Sequence, residues 1–258
     1  RTTAKLDEAT GEYVLNGEKI YVTSGERADV VVVWASLDLS VGRPAIKSFI
    51  VERSNPGMVL ERLEHKLGIR VSDTAAVRLV DCRVPKENLL GDPEINVEKG
   101  FAGVMQTFDN TRPLVAAMAV GLTRGCLEDM KQRLEDAGLV VDYDKPASLQ
   151  PAAVAEYLEM EADYEAALLL MMQATWMADN RVPNSVNASM AKAKAGRTCV
   201  DIALRCVALA GALGYSEETL VEKRARDAKI LDIFEGTQQI QLLIIARQLL
   251  KKSSAELK

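Results

Sequence analysis

Phe234-Glu235-Gly236-Thr237 sets a carboxylate between an aromatic residue and a glycine, just ahead of the last apolar segment of the chain. An acid there has two readings. It can sit at a helix N-terminus, stabilised by the helix dipole with Thr237 as N-cap. It can instead face a ligand as a proton acceptor, with Gly236 letting backbone approach that ligand closely. Asp109 and Arg112 are three apart in a helical segment, the spacing of an ion pair on one helix face. Arg247 is an isolated cation on an otherwise apolar helix face, costly to bury without a phosphate or carboxylate partner. Tyr21 and Thr23 lie two apart in a strand segment and so share a face, an aromatic ring beside a hydroxyl.

Other chemistries are excluded by what the sequence lacks. His65 is the only histidine, which removes a Ser-His-Asp triad and a histidine-rich metal site, and no metal is expected. No nucleophile elbow, P-loop or GxGxxG is present. Cys82, Cys126, Cys199 and Cys206 form no CxxC pair and read as buried, reduced thiols of a cytosolic protein. Net charge is −5 with both signs interspersed, so there is no basic footprint for nucleic acid. No apolar run is long enough to span a bilayer. The chain begins at Arg1, not at a methionine, so the true N-terminus is expected to lie further upstream.

Two regimes position these residues, 1–95 and 96–258. In the first, Tyr13-Val14-Leu15, Asn16-Gly17 and Lys19 to Thr23 predict a hairpin with a tight Asn-Gly turn. Asp29 to Ala35, Ile46 to Val51 and Ala75 to Val80 are further short strands, punctuated by Asn55-Pro56-Gly57 and Val84-Pro85. A small antiparallel sandwich or barrel-like domain follows. In the second, Phe101 to Glu135, Pro151 to Asp179, Asn184 to Ala210, Glu217 to Leu231 and Gln238 to Lys251 predict an antiparallel helical bundle. Met160, Tyr164, Leu168 and Met171 recur at helical spacing and are expected in its core. The last helix is apolar on more than one face, as in a helix buried between neighbours or at a subunit interface. The fold class is therefore α+β.

Seven local motifs carry the reading further. They are Tyr21-Val22-Thr23-Ser24-Gly25, Lys66-Leu67-Gly68-Ile69-Arg70 with Ser72-Asp73-Thr74, and Val84-Pro85 with Asn88-Leu89-Leu90-Gly91. Phe108-Asp109-Asn110-Thr111-Arg112-Pro113, Gly211-Ala212-Leu213-Gly214-Tyr215, Arg226-Asp227-Ala228-Lys229 and Phe234-Glu235-Gly236-Thr237 complete the set. In this order and spacing the chain resembles the acyl-CoA dehydrogenase family over essentially its whole length, starting after the family's first helical domain and the start of its β domain.

That resemblance implies an FAD-dependent enzyme of fatty acid β-oxidation that desaturates an acyl-CoA thioester between its α and β carbons. It implies Glu235 as the base for the α-proton, its own amide N–H helping to polarise the carbonyl, and Arg112 as the nearby catalytic arginine. Tyr21, Val22, Thr23, Gln150, Gly211, Thr237, Gln238 and Gln239 match positions that touch the flavin cofactor. Asp109, Asn110, Thr111, Arg112, Gly236 and Arg247 match substrate contacts. The implied partners are the acyl-CoA, an electron-transfer flavoprotein and further subunits of a homo- or hetero-tetramer. The implied compartment is the cytoplasm, or the mitochondrial matrix in a eukaryote.

Departures from the family pattern keep other readings open. Tyr21 replaces a usual tryptophan. Pro183 replaces an arginine that contacts coenzyme A, and Ala208 stands where a glutamine or acid is usual. Leu134-Glu135-Asp136-Ala137-Gly138 takes the place of an Arg-x-x-Phe-Gly segment. A mainly structural subunit of a heteromeric enzyme and an acyl-CoA oxidase are the alternatives; retention of Glu235 in its motif argues against the first.

Overall fold

The structure, a computed structural model, describes residues 2–97, 102–253 and 256. The chain divides into two compact units, Arg1–Met105 and Gln106–Lys258.

The first unit is one seven-stranded sheet. Its strands are β1 (Thr3–Asp7), β2 (Glu12–Thr23), β3 (Val30–Ser36), β4 (Ile46–Glu52), β5 (Met58–Leu63), β6 (Thr74–Pro85) and β7 (Leu89–Leu90). They lie in the order β5-β6-β2-β1-β3-β4-β7. All pairs are antiparallel except β1 with β3. Alternation along β2 and β6 buries Tyr13, Leu15, Ala75, Val77, Leu79, Cys82 and Val84 in a core shared with Val33, Phe49 and Val51. The ring of Tyr13 meets that of Phe49 edge-on at 5.1 Å.

The Asn-Gly hairpin does not form. Asn16 and Gly17 lie inside one long strand, where the pairing with β6 shifts register between Leu15 and Gly17. This is a β-bulge, with Gly17 at φ 142°. Asn16 fastens it across the ladder: its Nδ2 donates to Asp81 Oδ1 at 3.1 Å and its Oδ1 accepts from Asp81 N at 2.9 Å. The actual reversal is one strand earlier, where Gly11 N donates to Asp7 O at 2.8 Å and joins β1 to β2.

The second unit has helices α1 (Ala102–Asp136), α2 (Ala152–Asp179), α3 (Ser185–Ala210), α4 (Val221–Ala228) and α5 (Gln238–Leu250). The expected helix start at Phe101 lies outside the described residues. Helix α3 is the hub: it packs on α2, α4 and α5 and on a 3-10 turn at Lys229–Asp232. Small residues make that packing possible. Ala188, Ala191, Ala195, Cys199 and Ala203 are buried along α3, and a Cβ on Gly196 would come within 2.6 Å of Leu231 O. Met160 is fully buried, with Tyr164, Leu168 and Met171 packed against the same core, so that stripe of α2 is core as expected.

All four cysteines are buried. Burial pushes the Cys82 and Cys199 thiols up to about 11 and Cys206 to about 12, so they are uncharged at neutral pH. Helix α1 ends at the altered segment in a Schellman cap: Leu139 N donates to Leu134 O at 2.8 Å and Gly138 N to Glu135 O at 2.9 Å. No helix among the described residues is long and apolar enough to cross a membrane.

Candidate active site

Three helical elements of the second unit converge on Glu235. The chain leaves the Lys229–Asp232 turn, passes Phe234, and enters α5 at Thr237. Between them Glu235 takes φ 57° and Gly236 φ 99°, two successive residues in the left-handed region. A non-glycine residue held there is strained, and the surroundings must over-determine it.

The surroundings do so from below. Gln241, fully buried one turn into α5, donates Nε2 to both Glu235 O and Gly236 O at 3.1 Å. Lys192, fully buried on α3, donates Nζ to Gly236 O at 2.7 Å. From α1, Thr111 Oγ1 donates to Glu235 Oε2 at 2.8 Å. The carboxylate is thus aimed by a hydroxyl while its own backbone is tied down by two buried side chains.

Arg112, 3% exposed, follows Thr111 and donates Nη1 to Asp109 Oδ1 at 2.6 Å. Its guanidinium carbon lies 5.8 Å from the centre of the Phe108 ring. Burial lowers the Arg112 pKa from its ordinary value, opposed by the carboxylates of Asp109 and Glu235. Burial also pushes the Lys192 ammonium down to about 8, against Asp232 and Glu235 and with Arg112. Two cations therefore flank the Glu235 loop at a cost in desolvation.

Pro113 explains the local geometry of α1. Without an N–H it cannot bond the carbonyl of Asp109 four residues back. Asn184, buried at the start of α3, fills part of that role: its Nδ2 donates to Asp109 O at 3.4 Å and to Ala174 O at 3.3 Å. Beside it opens a cleft of about 450 Å³ lined by Gln106, Asp109, Asn110, Arg181, Pro183 and Ser185, among others.

The remaining expected site residues lie as follows. Thr237 is the residue before α5, but its hydroxyl makes no capping hydrogen bond. Gln239 is exposed; Gln238, with its amide oriented to satisfy both partners, donates to Ala193 O at 3.1 Å and Asp232 Oδ1 at 3.3 Å. Arg247 Nε is buried with no hydrogen-bond partner among the described residues. Gly211 ends α3 at φ 59°. Gln150 lies far along the chain from α5, with its amide engaged on its own loop: Oε1 accepts from Asp142 N at 3.0 Å, and Nε2 donates to Asp142 O at 2.8 Å and Lys145 O at 3.0 Å.

On the sheet, Tyr21 sits in a second register shift of β2 at φ 59°, so regular alternation does not govern it. Both Tyr21 and Thr23 are nonetheless exposed, Tyr21 at 69%. The ladder to β1 stops at Asn16, so among the described residues the strand pairing of 17–23 is with β6 alone. Val22 is half-buried between them.

Lys192 and Gln241 were not evident as site residues from the sequence. A lysine on the Ala188-Ala191-Ala195-Cys199 face was the available signal, since it implies a buried cation in need of an acceptor. Among the described residues no group of three His, Cys, Asp or Glu side chains could hold a metal ion.

Known proteins match this chain in sequence and in fold. The profile of the acyl-CoA dehydrogenase C-terminal domain matches residues 98–250, and that of the middle domain residues 1–82. The short-chain specific acyl-CoA dehydrogenase of Mus musculus mitochondria is 36% identical over 250 residues, covering 97% of this chain and 58% of the mouse protein. The caffeyl-CoA reductase-Etf complex subunit CarC of Acetobacterium woodii is 34% identical over 244 residues, covering 93% of this chain and 62% of its own. The solved butyryl-CoA dehydrogenase of Megasphaera elsdenii superposes with TM-score 0.87 at 36% identity, over 97% of this chain and 63% of that one. This chain thus spans about three fifths of these relatives. It belongs to the acyl-CoA dehydrogenase family.

Proposed function

We propose that the protein of which this chain is part desaturates an acyl-CoA thioester between the α and β carbons. The observation that carries this reading is the Glu235 carboxylate, aimed by the Thr111 hydroxyl from a backbone segment that two buried side chains hold in a strained conformation. Positioned carboxylates of this kind serve as general bases. Glu235 takes the α-proton. Thr111 occupies Oε2, which leaves Oε1 to face the substrate. The Glu235 amide N–H polarises the thioester carbonyl, where enolate charge develops. Arg112, with Nε buried and unpartnered among the described residues, holds the surrounding field positive as that charge grows. Asp109 and Asn110, in the cleft beside α3, contact the acyl-CoA, and Arg247 supplies the cation for its coenzyme A portion.

The sheet fits a flat, amphipathic cofactor. An exposed aromatic ring, an exposed hydroxyl and a strand edge bonded on one side only stand together at Tyr21, Val22 and Thr23. FAD, when bound, supplies the acceptor for the β-hydrogen as hydride. Tyr21 and Val22 would pack on its ring and the Thr23 hydroxyl would donate to it, and Thr237, Gln238, Gln239, Gly211 and Gln150 would be the further contacts. If Thr23 acts this way, Thr23→Val shifts the visible flavin spectrum and slows flavin reduction with no loss of thermal stability. An unchanged spectrum with an unchanged rate would leave Thr23 as a strand residue.

An electron-transfer flavoprotein is the proposed electron acceptor, a reading supported by the Etf complex to which the Acetobacterium relative belongs. Assembly into a homo- or hetero-tetramer is supported by α5, which leaves Leu242, Leu243, Leu249 and Leu250 exposed and buries only Gln241. The test of the activity is dye reduction by the full-length protein over a panel of acyl-CoAs. Short straight chains come first, because the mouse and Megasphaera relatives act on them by name. Dye reduction that depends on an acyl-CoA is expected; none across the panel, with FAD bound, overturns the reading.

A further inference from the structure

We infer that Lys192 is a positioning residue for proton abstraction, holding and charging the Glu235-Gly236 segment from α3. The inference rests on Glu235 being the base. Lys192 is fully buried, two turns into α3, the helix that packs on α2, α4 and α5. Its neighbours on that face are Ala188, Ser189, Ala195, Gly196 and Cys199, none of them charged, so no ion pair within α3 calls for a charge there. Its one described hydrogen bond crosses to Gly236 O at 2.7 Å, the carbonyl that Gln241 also bonds.

A methionine of similar length would fill the same space without the desolvation cost, and replacing buried ions by apolar residues is often neutral or stabilising. Asp232 would not be stranded by that change. It keeps Lys229 Nζ at 3.1 Å and the Gln238 amide at 3.3 Å. The fold therefore has no evident need of the Lys192 charge, while the loop that carries the base does. The charged groups facing Lys192 come from three elements: Asp232 from the 3-10 turn, Glu235 from the loop and Arg112 from α1. With the ammonium present, a positive charge faces the Glu235 carboxylate and the backbone of its loop is fixed.

The experiment compares Lys192→Met, Lys192→Gln and Glu235→Gln in the full-length holoenzyme. Lys192→Met is expected to slow flavin reduction by roughly ten- to a hundredfold, the loss of one charge-assisted hydrogen bond. The acid limb of its kcat/KM profile should move to higher pH, because a cation facing the base is gone. Lys192→Gln keeps an N–H donor but no charge; it should recover part of the rate and none of the shift.

Stability gives a separate readout. The folded Lys192 pKa, about 8, lies below its ordinary 10.5. Between these values the unfolded chain holds a proton that the folded chain has released, so wild-type stability gains with rising pH across that window. The Met variant lacks this gain, and its melting temperature at pH 7 should equal or exceed that of wild type. Wild-type rates and acid limbs in both Lys192 variants, with Glu235→Gln inactive, would overturn the inference and leave the base assignment standing. Active Glu235→Gln would overturn the base assignment itself. Failure of both Lys192 variants to fold would also overturn the inference, by showing Lys192 to be a core structural residue.

Discussion

Glu235→Gln in the full-length protein is expected to slow substrate-driven flavin reduction by at least ~10²–10⁴-fold, the usual cost of removing a positioned base. The replacement is nearly isosteric, and Thr111 Oγ1 can still meet the oxygen of the new amide where it now meets Glu235 Oε2 at 2.8 Å. Backbone restraints are untouched, because Gln241 and Lys192 bond the carbonyls of Glu235 and Gly236 rather than the side chain. Neither nearby cation is abandoned: Arg112 keeps Asp109 at 2.6 Å and Lys192 keeps Gly236 O at 2.7 Å. The fold, FAD content and substrate binding should therefore survive while proton abstraction does not. Anaerobic rapid mixing, following the flavin absorbance, measures the step. Reduction within tenfold of wild type would sink the assignment of Glu235 as base.

The helices were legible because two signals agreed at each. Long segments of helical composition were bounded by Pro151, Gly138 and Gly211, and the ends fall within a residue or two of those expected for α2, α3 and α5. The sheet was harder. Strand β5 is at the sheet edge, carries Glu61 and Arg62 at a register shift with β6, and shows little alternation. Strand β1 is five residues long with Lys5 and Asp7 among them, too short and too polar to carry a strand signal of its own. Without β1, Asn16-Gly17 had no flanking partner and its turn chemistry pointed to a hairpin; with β1 in place the same two residues make a bulge.

At the site, motif residues were legible and their supports were not. Thr111, Arg112 and Glu235 meet in space although more than a hundred residues separate them. Nothing in periodicity announces such a meeting. Lys192 and Gln241 act through backbone carbonyls, which have no sequence signature. The sequence of α5 is apolar on more than one face, yet Leu242, Leu243, Leu249 and Leu250 are exposed while the polar Gln241 is its fully buried residue. The inversion has one cause: the inner face of α5 is given over to holding the Glu235 and Gly236 carbonyls, which requires a donor, while the leucines of the outer face are exposed.

Gly236→Ala should be nearly as damaging as loss of the carboxylate, for a reason confined to that inner face. At φ 99° an L-residue is strained by about 1–3 kcal/mol. The added methyl would also stand 2.4 Å from Gln241 Nε2, well inside contact distance. Gln241 is fully buried, and moving its amide breaks the hydrogen bonds to Glu235 O and Gly236 O, both 3.1 Å. If Gln241 stays, the loop must move and the carboxylate moves with it. Misplacement of a catalytic group by about 1 Å can cost ~10²-fold. Flavin reduction at saturating substrate is therefore expected to fall by about a hundredfold, with a melting temperature lowered by several degrees. Combining Gly236→Ala with Gln241→Ala removes the collision but not the backbone strain, and so should not restore the wild-type rate. A Gly236→Ala protein that reduces its flavin within threefold of wild type would show that the Glu235-Gly236 geometry is not what aims the base.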